Sequence, residues 1–111
     1  MSKELQKLMD DIAEWSDKEF GERQRTVPIL YHLKKEVPEA IDACQNYLES
    51  DFYNGRAKLE IADCFMLILD AATHFNMSAE DLIFYTALKL DINKNRKWGK
   101  PDVNGVIEHI K

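Results

Sequence analysis

EIADCFMLILDAATHFN, residues 60–76, decides the fold. It shows no strand alternation, and we read it as the body of a helix from about Arg56 to Asn76. Leu59, Ile61, Phe65, Met66, Leu67, Ile68, Leu69 and Phe75 make that helix apolar nearly all round. Such a helix must be covered on most sides, and three other helices in a chain of 111 residues can hardly do that. The stretch therefore predicts an all-α bundle whose subunits associate with one another. It also raises a chemical question, because Asp63 and Asp70 sit where a solvated face hardly exists. A buried acid is costly unless it is paired or ligates a metal.

Outward from this helix the chain reads as three more helices and a tail. Ser2 can cap a first helix carrying Leu5, Leu8, Ile12 and Trp15 at helical spacing, with Gly21 as its stop. Thr26 can cap a second, with Pro28 in its first turn and a stripe of Leu30, Leu33, Val37, Ile41, Cys44 and Leu48. Residues 50–56, SDFYNGR, read as a loop with Asn54-Gly55 as turn chemistry. Ser78 caps a fourth helix with Asp81 three residues on, a weak capping box. That helix carries Leu82, Ile83, Leu88 and Ile92 and stops before Gly99 and Pro101. The tail VNGVIEHI is expected to hold a short last helix or a strand. The fold class is thus an all-α bundle of four to five helices in a single domain, residues 1–111.

Composition supports this. The chain is 45% hydrophobic and 32% charged with four glycines and three prolines, a globular profile rich in helix formers. A net charge of −5 argues against a nucleic-acid partner. The longest uninterrupted apolar run, CFMLIL at 64–69, is too short to span a membrane. The N-terminus lacks an apolar signal core. We expect an intracellular protein with reduced thiols, Cys44 and Cys64 serving as small buried apolar residues.

The acids carry the chemistry. Residues three apart in a helix lie about 60° apart around its axis. Glu36 and Glu39 therefore project from nearly one face, and Glu60 and Asp63 repeat the arrangement on the next helix. If the two helices pack antiparallel, four carboxylates converge, and like charges would force protons onto them. A hard divalent cation removes the conflict, and Mg²⁺ suits a site that keeps waters and phosphates. Pro38 lies between the two glutamates. Proline costs about 3 kcal/mol inside a helix. Here it bends the helix and re-aims the pair, or is a tolerated kink, or marks the end of one helix and the start of another. Asp70 is open between an outer role near the metal, a ligand to a second ion and a partner for a lysine. A di-iron bundle would want Glu-x-x-His on two helices, and the candidate helices hold none. Taken alone, each Glu-x-x-Glu-type pair also fits a solvated face.

Five cations fall in KLDINKNRKWGK, residues 89–100. They fit the negative end of a helix dipole, a solvated face, or a clamp on phosphates. Trp15, Phe20 and Trp98 are large rings near the ends of elements, suited to core, to an interface or to stacking on a base. His32, one turn before Glu36, can meet a ligand or orient a carboxylate. His74 and His109 suggest nothing. There is no glycine-rich phosphate loop, nucleophile elbow or Cys/His zinc spacing. Metal-assisted hydrolysis is what remains.

EWSDKEFGER, HLKKEVPEA, ADCFMLILDAA and KLDINKNRKWGKP, in that order, resemble the MazG-like all-α nucleotide pyrophosphohydrolases. The closer resemblance is to their dATP/dGTP diphosphohydrolase branch, the MazZ type of bacteria and phages. The likeness spans about residues 12–100. It implies hydrolysis of a purine deoxynucleoside triphosphate to monophosphate and pyrophosphate, by attack of water at the α-phosphorus. It also implies Mg²⁺, with Mn²⁺ as a substitute, and assembly as a dimer or a tetramer of two dimers. Carried onto this chain, it makes Glu36, Glu39, Glu60 and Asp63 the metal ligands, with Glu36 or Glu39 activating water. Lys94, Arg96 and Lys97 would meet the phosphates, and Trp15, Phe20 and His32 the sugar and base. The location implied is the cytoplasm, that of the host if the gene is a phage's. One position departs from the family signature EExxE…ExxD: Lys35 stands where its first glutamate would be. Two other readings stay open. One is a module of the same fold that binds a nucleotide without cleaving it; the other is a helical interaction module whose acids are solvated.

Overall fold

The computed structural model describes residues 2–49 and 54–111. Among the described residues four helices follow one another: α1 (Ser2–Phe20), α2 (Thr26–Glu49), α3 (Asn54–His74) and α4 (Ala79–Lys94). They belong to two compact units, Met1–Glu80 and Asp81–Lys111. No described helix is long and apolar enough to cross a membrane.

In the first unit α1 carries an acid in its first turn and Lys18 in its last, matching the helix dipole. It ends where expected. Gly21 takes φ +102°, and its N–H donates to the Asp17 carbonyl at 2.9 Å. Its buried side chains are Met9, Ile12 and Ser16, while Leu8 and Trp15 are about half exposed. The inward stripe thus lies one residue later than Leu8 and Trp15 suggest, and it ends in a serine.

α2 runs unbroken through Pro38, so the proline does not divide it into two helices. The ring leaves the Lys34 carbonyl without its helical donor. Ile29 and Ala43 are buried, whereas Leu30, Val37 and Ile41 are exposed. The inward face passes through Ile29, Leu33, Glu36 and Ala43; of the expected stripe Leu33 and Cys44 are half-buried, and Leu30, Val37 and Ile41 turn outward. The Leu48 side chain and residues 50–53 of the expected loop lie outside the described residues.

α3 begins at Asn54 rather than Arg56, so Asn54-Gly55 form a first helical turn and not a loop turn. It ends at His74, two residues early. Asn76 takes φ +60°, and Met77 N–H donates back to the Ala72 carbonyl at 2.9 Å. Cross-links fix its direction against α2. Thr26 Oγ1 donates to the Ala71 carbonyl at 3.0 Å, and Arg56 lies 3.7 Å from Asp42. The start of α2 meets the end of α3 and the reverse, so the two are antiparallel. α3 also packs on α1, burying Leu69, Asp70, Ala71 and Ala72. Its outer residues Leu59, Ile61 and Phe65 stay exposed, at 73%, 55% and 49%. Cys44 and Cys64 are free and half-buried rather than buried.

The second unit holds most of α4 and the tail. Asn95 Nδ2 and Trp98 Nε1 donate to the Asp91 and Asn93 carbonyls near the helix end. The tail forms no fifth helix. Trp98 and His109 make an isolated antiparallel bridge, flanked by hydrogen bonds Gly99 N–Glu108 O (2.8 Å) and Ile110 N–Lys97 O (2.7 Å). Asp102 Oδ1 closes the intervening turn by accepting from Asn104 and Val106 N–H.

Candidate active site

The antiparallel pairing of α2 and α3 brings their acids together. One carboxylate oxygen each from Glu36, Glu60 and Asp63 lies within 4.8 Å of the others. Among the described residues no lysine or arginine pairs with any of the three. His32 Nε2 meets Glu36 Oε1 at 3.0 Å, so the histidine one turn earlier orients this carboxylate. Glu39 stands beside the group. A hydrogen bond with Glu36, together with its charge, pushes the Glu39 carboxyl above its ordinary range, and the more distant charges of Arg56 and His32 only partly oppose this. Carboxylates this close with no cation of their own fit a hard divalent ion with oxygen ligands. The donor set suits Mg²⁺ or Mn²⁺.

Next to the acids, a cleft of about 300 Å³ opens between α1, α2 and α3. Asp63 and Asp70, about 10 Å apart along the axis of α3, both line it, with His32, Trp15, Phe20 and Met66. Trp15 and Phe20 stand edge to face, ring centres 5.6 Å apart, and the Arg25 guanidinium lies 5.7 Å over the Phe20 ring. The aromatic pair is half exposed and offers flat apolar faces to a ligand.

The far end of the cleft is polar and buried. Ser16 Oγ donates to Asp70 Oδ2 at 2.7 Å. Arg25 Nη2 donates to Ser16 Oγ and to Asp17 Oδ1, and its Nε to the Gly21 carbonyl. His74 meets the Asp70 carbonyl through Nδ1 and Asp17 Oδ1 through Nε2, both at 2.8 Å. Each ring nitrogen faces an acceptor, which the imidazolium satisfies, and Nε2 also lies 3.1 Å from the donor Arg25 Nη2. Burial works against that charge. The bonds to the Asp70 carbonyl and Asp17, and the Asp70 charge, outweigh burial and the opposing Arg25 charge, and the His74 pKa is raised. Asp17 is correspondingly held below its ordinary value, chiefly by the His74 hydrogen bond.

The structure thus places Glu36, Glu60 and Asp63 in one group with Glu39 adjoining, and Trp15, Phe20 and His32 around one cleft. Lys94 closes α4, and Arg96 and Lys97 follow it in the second unit. Asp70 is a partner of Arg25 and Ser16 rather than of a lysine. The sequence reading missed Ser16, Asp17, Arg25 and His74. Ser16 gave the available signal: it continues the Met9–Ile12 stripe inward, and a buried hydroxyl needs a partner. Nothing local marked Arg25 or His74.

The family model of the dATP/dGTP pyrophosphohydrolases matches residues 8–111. Among solved structures, the chain is similar to a MazG-like pyrophosphohydrolase of cyanophage S-2L, bound to dGDP and three catalytic Mn²⁺ ions per active site. The two share 29% identity over 96% of this chain and 97% of that one, with a TM-score of 0.68. No curated protein sequence matches.

Proposed function

The chain belongs to the dATP/dGTP pyrophosphohydrolase family, and on that premise we propose that it hydrolyses purine deoxynucleoside triphosphates, with Mg²⁺, at the α-phosphorus. As a family member it is a nucleoside triphosphate pyrophosphohydrolase. The observation that carries the finer reading is the convergence of Glu36, Glu60 and Asp63 within 4.8 Å.

In this reading Glu36, Glu60 and Asp63 hold the metal, with Glu39 beside them. The metal, when bound, neutralises the triphosphate and draws charge from the phosphorus under attack. His32 keeps Glu36 aimed. Glu39 accepts a proton as water adds to the α-phosphorus; Glu36 is the alternative acceptor. The oxygen bridging the α and β phosphorus leaves with pyrophosphate. Trp15 and Phe20 hold the base in the cleft and shield it from water. Lys94, Arg96 and Lys97 are assigned to the phosphates by their charge and by the resemblance described above. Mn²⁺ is expected to replace Mg²⁺, as the cyanophage neighbour carries it.

Self-association belongs to the same proposal. Ile61, Phe65 and Ile68, at spacings of four and three, leave an exposed apolar strip on α3 that water does not favour, and light scattering in solution would show a dimer or tetramer. The activity is tested by incubating the protein with Mg²⁺ and each common NTP and dNTP, and separating products by ion exchange. Monophosphate plus pyrophosphate, greatest with dGTP or dATP and lost in Glu39→Ala, is expected. Release of single phosphate, or no product from any of them, would remove the proposal.

A further inference from the structure

We propose that Asp70 and Arg25, at the end of the cleft away from the acids, read the edge of the base and select guanine over adenine. This rests on the reading of the cleft as a nucleotide site and names the group that the site distinguishes.

Both side chains line the cleft and are more than nine-tenths buried, Arg25 at 4% and Asp70 at 5% exposure. Buried charges normally have their hydrogen-bonding capacity filled. Here one carboxylate oxygen of Asp70 is left unfilled. Asp70 Oδ2 accepts from Ser16, but Oδ1 is buried and accepts nothing. His74 Nδ1, 3.2 Å away, balances its charge but directs its proton at the Asp70 carbonyl. Arg25 commits Nε to Gly21 and Nη2 to Ser16 and Asp17. Its Nη1 lies 4.0 Å from Asp70 Oδ2, beyond hydrogen-bond reach. A carboxylate with one unfilled oxygen, with the Arg25 guanidinium beside it, thus lines a cleft whose other walls are mostly apolar.

The position along α3 matches a nucleoside. Asp63 and Asp70 are seven residues apart, which places them on one face two turns apart, about 10 Å along the axis. That is the scale of a nucleoside from its 5′ oxygen to the far edge of its base. With the α-phosphate at the Asp63 end, the Watson–Crick edge arrives at Asp70.

The two purines present different edges. Guanine offers an acceptor, O6, followed by two adjacent donors, N1–H and N2–H. Adenine offers one donor and an acceptor, N1, with no third group. A carboxylate accepts a fork of two N–H donors as it accepts a guanidinium, and guanine carries that fork. Arg25 Nη1 then meets O6. A small rotation of the Asp70 carboxylate turns Oδ1 to the fork. Adenine would set its N1 lone pair against the carboxylate and leave one acceptor buried and unmet. A site built to hydrogen-bond a group rejects the analogue that lacks it.

The test uses the intact protein and needs no variant for its first arm. Hydrolysis of dGTP, dITP and dATP is compared with Mg²⁺; dITP keeps O6 and N1–H and lacks only the N2 amino group. We expect kcat/KM to fall at least about tenfold from dGTP to dITP, and further to dATP. Equal use of dGTP and dITP, within about threefold, would overturn the assignment while leaving the hydrolase reading intact. In a second arm, binding of dGMP and dIMP without metal is followed by calorimetry. A clear preference for dGMP is expected, and equal binding overturns the assignment. If no nucleotide is hydrolysed, the proposed activity falls, and this arm still decides the role of the cleft. In Asp70→Asn, kcat/KM for dGTP should drop at least about tenfold and the dGTP-to-dITP ratio should collapse towards one.

Discussion

Two groups of carboxylates lie two turns apart on α3, and the fold treats them in opposite ways. At one end Glu36, Glu60 and Asp63 face one another with no lysine or arginine among the described residues to offset them. At the other, Asp70 and Asp17 are met by the Arg25 guanidinium, the His74 ring and the Ser16 hydroxyl. The second group is an internal salt of the polypeptide, complete when the chain has folded except for one oxygen. The first is finished only when a cation arrives. Buried charge that the chain neutralises itself holds α1 and α3 together; charge it leaves unbalanced is reserved for a ligand.

The contrast breaks most sharply at Arg25. Arg25→Ala takes from buried Asp70 and from Asp17 one of their two cations, leaving only His74. It should cost about 3–5 kcal/mol of metal-free stability in urea unfolding, as expected for half of a buried pair. The matching change at the other end is Asp63→Asn. There we expect kcat/KM for the triphosphate to fall more than about a hundredfold, since loss of an outer-shell partner alone costs up to that much. Stability without metal should hold or rise. If Asp63→Asn instead unfolds the protein as Arg25→Ala does, the two ends are not different in kind.

pH sharpens the comparison further. The His74 pKa is raised on folding, so its contribution is full below about 6.5 and fades as pH rises through the folded value. Asp17 is held low, so its contribution persists above about 3.8 and fades only as pH falls through its folded value. The stability lost in His74→Gln should therefore be greatest between those limits and shrink as pH rises above them, measured by melting temperature across pH. The smallest effect belongs to Glu36→Gln. Removing one charge from the uncompensated group should raise the melting temperature slightly in EDTA and abolish the further rise that Mg²⁺ gives the wild type.

The sequence made the acid end legible because its signal is local. Two pairs at spacing three, one of them inside an apolar run, needed only an antiparallel hairpin to converge, and Thr26–Ala71 and Arg56–Asp42 show that hairpin. The other end was not legible because its partners are remote. Asp70 meets Ser16 across fifty-four residues, and His74 meets Asp17 across fifty-seven. No helical period relates such positions. The stripes on α1 and α2 were right at Ile12 and in part at Leu5, Leu33 and Cys44, and wrong at Leu8 and Leu30 for a related reason. Leu8 and Leu30 are about as apolar as their buried neighbours Met9 and Ile29, and only the direction of packing decides which of two adjacent positions turns inward. The tail resisted because a lone bridge held by Gly99 and Asp102 has neither the length of a helix nor the alternation of a strand.

The seven-residue spacing on α3 has a consequence for how the gene can change. Each inserted or deleted residue turns everything beyond it by about 100° and moves it about 1.5 Å. A single lost codon between Asp63 and Asp70 would swing Asp70 out from under Ser16 and Arg25 while leaving the acids in place. Substitutions in this interval adjust the walls of the cleft; length changes uncouple its two ends. Descendants of this chain should therefore hold the count between these two aspartates fixed.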